Sequence, residues 1–263
     1  MMIKVVLVDV NPKMVAAWRE TFEDNPEVEI AHGSMLDQTV SAWVSPTNSA
    51  GRMDGGLDAV IKGYLGGTIE HAVQKQIAQL YSGAMPVGHA TCVATGRTQP
   101  RYLISTPTMI SSSEDVSDTM NVALAAAAAF QAVHMQNARE PGSIRSVALP
   151  GLGANTGRVP VEICADLMWT AYDLFREAQF KDFPTMRMAL EGLLGDLGPT
   201  STKGAYKKSF AGHAGGPKVT IPDHAAAQAQ LKKKIEKSQN DALDEGADVG
   251  DFDDSEDFGD DDE

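Results

Sequence analysis

Between Val44 and Ile61 the chain reads Val-Ser-Pro-Thr-Asn-Ser-Ala-Gly-Arg-Met-Asp-Gly-Gly-Leu-Asp-Ala-Val-Ile. An apolar strand delivers the backbone to Asn48, the pair Gly55-Gly56 follows, and a helical pattern begins at once. Glycines let a backbone approach a ligand closely, and the free N–H groups at a helix start favour a phosphate or a polarised oxygen. A glycine pair before a helix also serves as a tight turn, so this loop alone leaves both uses open. Asn48 is of the type that braces turns, and Asp58, in the first turn of the helix, is an acid that stabilises the macrodipole. Arg52 and Asp54 read as solvated loop residues, and His71 and His89 as surface or core residues rather than general bases. A second loop, Pro150-Gly151-Leu152-Gly153-Ala154-Asn155-Thr156-Gly157-Arg158-Val159-Pro160, repeats the context, with an apolar strand before it and a proline-started helix after it. Two such loops at strand C-termini lie where an open α/β sheet places a ligand.

The elements that must hold these loops follow from periodicity. Val5 to Val8 is a continuous, mostly β-branched apolar run, as in a strand covered on both faces. Pro12 opens a helix to about Phe22; Glu27 to Ala31 and Ala42 to Val44 are strands. Helical spacing runs from about Leu57 to Tyr81, with Gly63 and Gly66-Gly67 as weak points. Ala90 to Ala94 and Tyr102 to Thr106 are strands separated by a turn at 96–100. Asp118 to Gln136, with Ala125 to Ala129 at its centre, is the strongest helix. Ser146 to Leu149 is a strand, Val161 to Gln179 a helix, and Met186 to Leu197 an amphipathic helix. The alternation is that of an α/β domain, ending near residue 198. A Lys-, Ala- and Gly-rich linker follows over 199–240, then an acidic tail over 241–263, both too polar to bury a core.

Charge is distributed accordingly. The formal net charge of −14 comes from 36 acids against 22 bases, and 13 of the acids lie in residues 241–263, which hold no Lys or Arg. The rest is near neutral. The tail reads as a solubilising extension or as a contact for a basic protein partner. Cys92 and Cys164, in apolar contexts, read as thiols rather than a disulfide, and nothing has the spacing of zinc ligands. The first nine residues lack a basic segment and a long apolar core, so they predict a strand rather than a signal peptide. No run reaches about 18 apolar residues without charge, which argues against a membrane span; the expected setting is reduced cytoplasm.

The two loops and their order resemble the macro-domain pattern: a strand followed by N-A-A-N, glycines, V-D and a helix, and later P-G-L-G-T-G. Ser45 stands at the first Asn of that pattern, Asn48 at the second, Gly55-Gly56 at the glycines and Leu57-Asp58 at V-D. Gly88 to Gly96 and Tyr102 to Ser105 fit the intervening strand pair, so the resemblance covers roughly residues 1–180. It implies a three-layer α/β/α fold with a mixed, mostly parallel sheet. It also implies a pocket for ADP-ribose, or an ADP-ribosylated macromolecule, from which the adduct is hydrolysed without cofactor or metal. Carried over, Asn48 hydrogen-bonds the ribose beside the scissile bond and Asp58 contacts that ribose or activates a water. The backbone of Gly55, Gly56, Gly153, Ala154, Asn155, Thr156 and Gly157 holds the diphosphate.

Three departures accompany the match. The family's acid that reads the adenine amino group, in a G-D-I pattern, is here Ser34 in Gly33-Ser34-Met35-Leu36-Asp37, with Asp37 three residues later. Asn155 stands where glycine is commonest and is expected to adopt a left-handed conformation. The aromatic residue that often follows is replaced by Gly157 or Arg158. A non-catalytic reader with the same pocket is the competing expectation. A nucleotide-dependent methyltransferase, suggested by Val8-Asp9 and Gly33 to Asp37, lacks its glycine-rich turn, since Asn11-Pro12 occupies that space.

Overall fold

Val5-Val6-Leu7-Val8 is apolar throughout because it lies inside a sheet with a helical layer on each side. The computed structural model describes residues 3–195; the expected linker over 199–240 and acidic tail over 241–263 lie outside them. Six strands, β1 (Lys4–Asp9), β2 (Val28–His32), β3 (Ala42–Ser45), β4 (Thr91–Ala94), β5 (Tyr102–Ser105) and β6 (Ser146–Leu149), form one sheet in the order β2-β1-β6-β3-β5-β4. All neighbours run parallel except β4, which closes the edge antiparallel to β5.

Strand alternation divides the core into two layers. Val5, Leu7, Val44, Ile104 and Leu149 pack with α1 (Pro12–Thr21), α4 (Asn121–Arg139), α5 (Val161–Glu177) and α6 (Phe183–Gly195). Val6, Val8, Trp43, Leu103 and Ala148 pack with α2 (Gly56–Leu65) and α3 (Thr68–Tyr81) on the opposite face. The result is the expected three-layer α/β/α arrangement with a mixed, mostly parallel sheet. The alanines at the centre of α4 are buried without exception. A helix enclosed on nearly all sides loses the one-faced pattern of a surface helix, and small side chains let it lie close to sheet and neighbours.

Three boundaries differ from the periodicity by three residues or more, the simplest being the last helix, which starts at Phe183 rather than Met186. The helix expected over Leu57 to Tyr81 is two helices, because Gly66 takes φ +97° and ends α2. The helix expected from Asp118 starts at Asn121, since a turn closes first: the Thr119 N–H donates to the Val116 carbonyl and the Asn121 N–H to Thr119 Oγ1. Asn11 caps α1 by accepting from the Lys13 N–H. Cys164 is buried and Cys92 half-buried, both as free thiols. No helix of the described residues is long and apolar enough to cross a membrane.

Candidate functional site

Strands β1, β6 and β3 are adjacent and parallel, so their C-terminal ends open on the same side of the sheet. The loops that leave them enclose a cavity of about 350 Å³, within the roughly 300–1,000 Å³ usual for small-molecule sites. Its walls are the end of β1 (Val8, Asp9, Val10), the turn after β2 (Gly33, Ser34, Met35), Pro46 with the start of α2 (Gly55 to Asp58, Val60), Thr108 and Met109, and the second glycine loop. A larger open groove of about 890 Å³ lies at the opposite ends of the strands, beside Ile3, Glu27, His134 and Arg176. Size does not decide between them: both glycine loops and two carboxylates converge on the smaller one.

Asp58 is the electrostatic centre of that wall. It is half-buried in the first turn of α2, and Ser45 Oγ, fully buried at the end of β3, donates to its Oδ1 at 2.5 Å. Burial pushes the Asp58 carboxyl up to about 7; the Ser45 hydroxyl opposes the rise and repulsion from Asp54 adds to it. A group of this kind holds and releases a proton near neutral pH, as general acid–base work requires. Glu70 secures the approach: its Oε1 accepts from the Met53 N–H at 2.7 Å and its Oε2 from Lys62 Nζ at 3.0 Å, contacts that hold its carboxyl below the usual range although desolvation opposes them. The α2 start itself has Gly55 as its N-cap, extended and with no side chain to cap the first N–H groups.

The second loop is shaped by packing. Gly153 takes φ +71°, and a Cβ on Gly157 would stand 2.7 Å from both the Gly153 carbonyl oxygen and Val116 Cγ2. The left-handed positions of this loop are Gly153 and Arg158, not Asn155, which stays at negative φ. The turn is made at the glycine, so the asparagine has no need of the unusual conformation. Asp9, buried at the end of β1, clamps this loop to its own strand: Oδ1 accepts from the Asn11 N–H at 2.8 Å and Oδ2 from the Gly151 N–H at 3.1 Å.

Of the residues singled out in the sequence, Ser34, Gly55, Gly56, Asp58, Gly153, Asn155, Thr156 and Gly157 meet around the cavity. Ala154 lies within the same loop but outside the lining. Ser45 stands beneath Asp58 rather than on the wall. Asn48 is buried at 7% exposure with its amide committed to its surroundings: Oδ1 accepts from the Ala50 and Arg52 N–H groups at 3.1 and 3.2 Å, and Nδ2 donates to Ser112 Oγ at 3.0 Å. Ser34 Oγ accepts from the Leu36 N–H and caps the single turn Met35–Asp37, while Asp37 is exposed away from the cavity. His89 packs against Tyr81 and Phe183, and His71 is exposed. The Arg158 guanidinium is directed outward, 3.5 Å from Asp115. Thr108 and Met109 carried no motif signal and Asp9 only that of the methyltransferase alternative; the register of β1, and of β3 with β5, brings them here. Among the described residues no three His, Cys, Asp or Glu side chains gather closely enough to hold a metal ion.

The macro-domain family model matches residues 44–168, a span that starts in β3, ends in α5 and contains both loops. An uncharacterized protein of Aquifex aeolicus is 31% identical over 148 residues, which are 54% of this chain and 78% of that protein. A macro domain-containing protein of Streptomyces griseus is 30% identical over 82 residues, 31% of this chain and 46% of that protein. Among solved structures, the macrodomain of Mycobacterium tuberculosis DarG is similar with 21% identity and a TM-score of 0.47, over 57% of this chain and 91% of that one. The Oceanobacillus iheyensis macrodomain, solved with ADP, has 15% identity and a TM-score of 0.46, over 62% and 90%. The chain carries a domain of the macro-domain family, matched over residues 44–168.

Proposed function

We propose that the cavity binds ADP-ribose, free or as an adduct, and that Asp58 promotes hydrolysis of the adduct. The observation that carries this reading is the half-buried Asp58 carboxyl, held by Ser45 and raised to about 7, facing a cavity that both glycine loops line. The backbone N–H groups of Gly55 and Gly56 at the α2 start, and those of the 153–157 loop, suit the diphosphate. Asn48 serves the ribose side. In the reaction a water oxygen bonds to the anomeric carbon as the bond from that carbon to the attached group breaks. The water proton passes to the Asp58 carboxylate and from there to solvent, and the leaving atom takes up a proton from solvent.

A binding-only module is the second reading. It is favoured by the Asn48 amide, whose contacts all go to its own loop and Ser112, and by Ser34, whose hydroxyl caps a helical turn. Calorimetry with ADP-ribose, followed by hours-long incubation with an ADP-ribosylated substrate, separates the two. Turnover lost in Asp58→Asn with binding retained supports the hydrolase; binding without wild-type turnover selects the reader; no binding rejects both.

A further inference from the structure

The Asp58 carboxyl has a cation one helical turn away that it does not use. Asp58 and Lys62 both lie on α2 at the i, i+4 spacing that places side chains on one helix face, and an acid preceding a lysine in this way is the orientation that pairs best. An ion pair there would favour the charged carboxylate. Lys62 turns away instead: its Nζ donates to Glu70 Oε2 on α3 at 3.0 Å, with the two side chains 30% and 18% exposed. What faces Asp58 is Ser45 from the end of β3, which donates to its Oδ1, and Asp54 from the preceding loop, which repels it. Asp9, which lines the same cavity from β1, is engaged by the Asn11 and Gly151 N–H groups.

Glu70 is well placed to keep that lysine. It sits in the first turn of α3, where the macrodipole favours an acid. Its Oε1 accepts from the N–H of fully buried Met53 at 2.7 Å, which fixes the carboxylate from the other side. His71, its exposed neighbour on α3, adds an attraction when protonated. One carboxylate on α3 therefore grips the loop ahead of Asp58 and the lysine that follows it on α2.

We infer that Glu70 is a positioning residue for Asp58: by holding Lys62 against α3 it keeps the ammonium from the carboxyl one turn back on the same helix. The arrangement needs no ligand, while its meaning for turnover rests on the hydrolysis reading of Asp58. The test follows the Asp58 carboxyl carbon by NMR through the acid-to-neutral range on the unliganded full chain. Glu70→Gln keeps an oxygen for the Met53 N–H but releases Lys62, and moves the Asp58 midpoint about 1 pH unit lower. The acid limb of turnover of an ADP-ribosylated substrate moves down with it. Adding Lys62→Met to Glu70→Gln restores the wild-type midpoint, and Lys62→Met alone does not lower it. An unchanged midpoint in Glu70→Gln, a lowered midpoint that persists in the double variant, or a lowered midpoint in Lys62→Met alone each overturn the inference. If the midpoints move as stated but the wild type turns over no ADP-ribosylated substrate, the hydrolase reading fails and the positioning of Asp58 by Glu70 stands.

Discussion

The two glycine loops face one cavity but use glycine for opposite reasons. In the loop after β6 there is no room: a side chain on Gly157 would run into the Gly153 carbonyl, and one on Gly151 into Asp9 and Met14. At the start of α2 there is open space: a Cβ on Gly55 or Gly56 would meet nothing within 4 Å. The first kind of glycine lets the protein pack against itself. The second kind faces outward into the cavity, where the absent side chain is left to whatever the loop binds. The loop after β3 also carries the titratable chemistry, Asp58 on Ser45, whereas the other presents backbone.

The largest effects test this contrast at its extremes. Asp58→Asn lowers turnover of an ADP-ribosylated substrate by about 10²–10⁴-fold, the usual contribution of a positioned acid–base group, read in a single-turnover assay; unchanged turnover removes Asp58 from the chemistry. Gly157→Ala forces a methyl against a carbonyl oxygen and costs about 1–3 kcal/mol of stability, measured by denaturant unfolding. Wild-type stability in that variant would mean the loop is not fixed by packing.

A smaller effect follows from the raised carboxyl. Between the ordinary value of 3.8 and about 7, folded Asp58 keeps a proton that the unfolded chain has released. Stability therefore falls as pH rises through that window and levels off above it. Asp58→Asn lacks this term, so its melting temperature gains on wild type from pH 4 to pH 7 and no further. Parallel profiles would show that the carboxyl is not raised. Smallest of all, Gly55→Ala, at an extended φ of −150° with free space, leaves stability within about 0.5 kcal/mol while weakening ADP-ribose. A stability loss like that of Gly157→Ala would erase the distinction between the loops.

These contrasts mark what the sequence made legible. Strand order along the chain, both loops and the start of α2 could be read because apolar runs, glycine pairs and prolines are local signals. Asp58 was placed in the first helical turn by the same means. Its partner was not: Ser45 fills a family position, yet its contact with Asp58 depends on how β3 ends against α2. The segment from Thr108 to Val116 carries no periodicity, and its place is set by the pairing of β3 with β5 and by Gly157, far apart in sequence. Asn48 was legible as either a ligand contact or a loop brace; only the hydrogen-bond partners of its two amide atoms show where each is directed.

The central claim is that the cavity between the two loops takes ADP-ribose. Its most direct test is titration of ADP-ribose into wild-type protein and into Gly55→Val, which places a branched side chain in the open wall. The account predicts saturable one-to-one binding by wild type and its loss in the variant, with the melting temperature of the unliganded variant nearly unchanged. Absence of binding by wild type, or equal binding by both proteins, contradicts it.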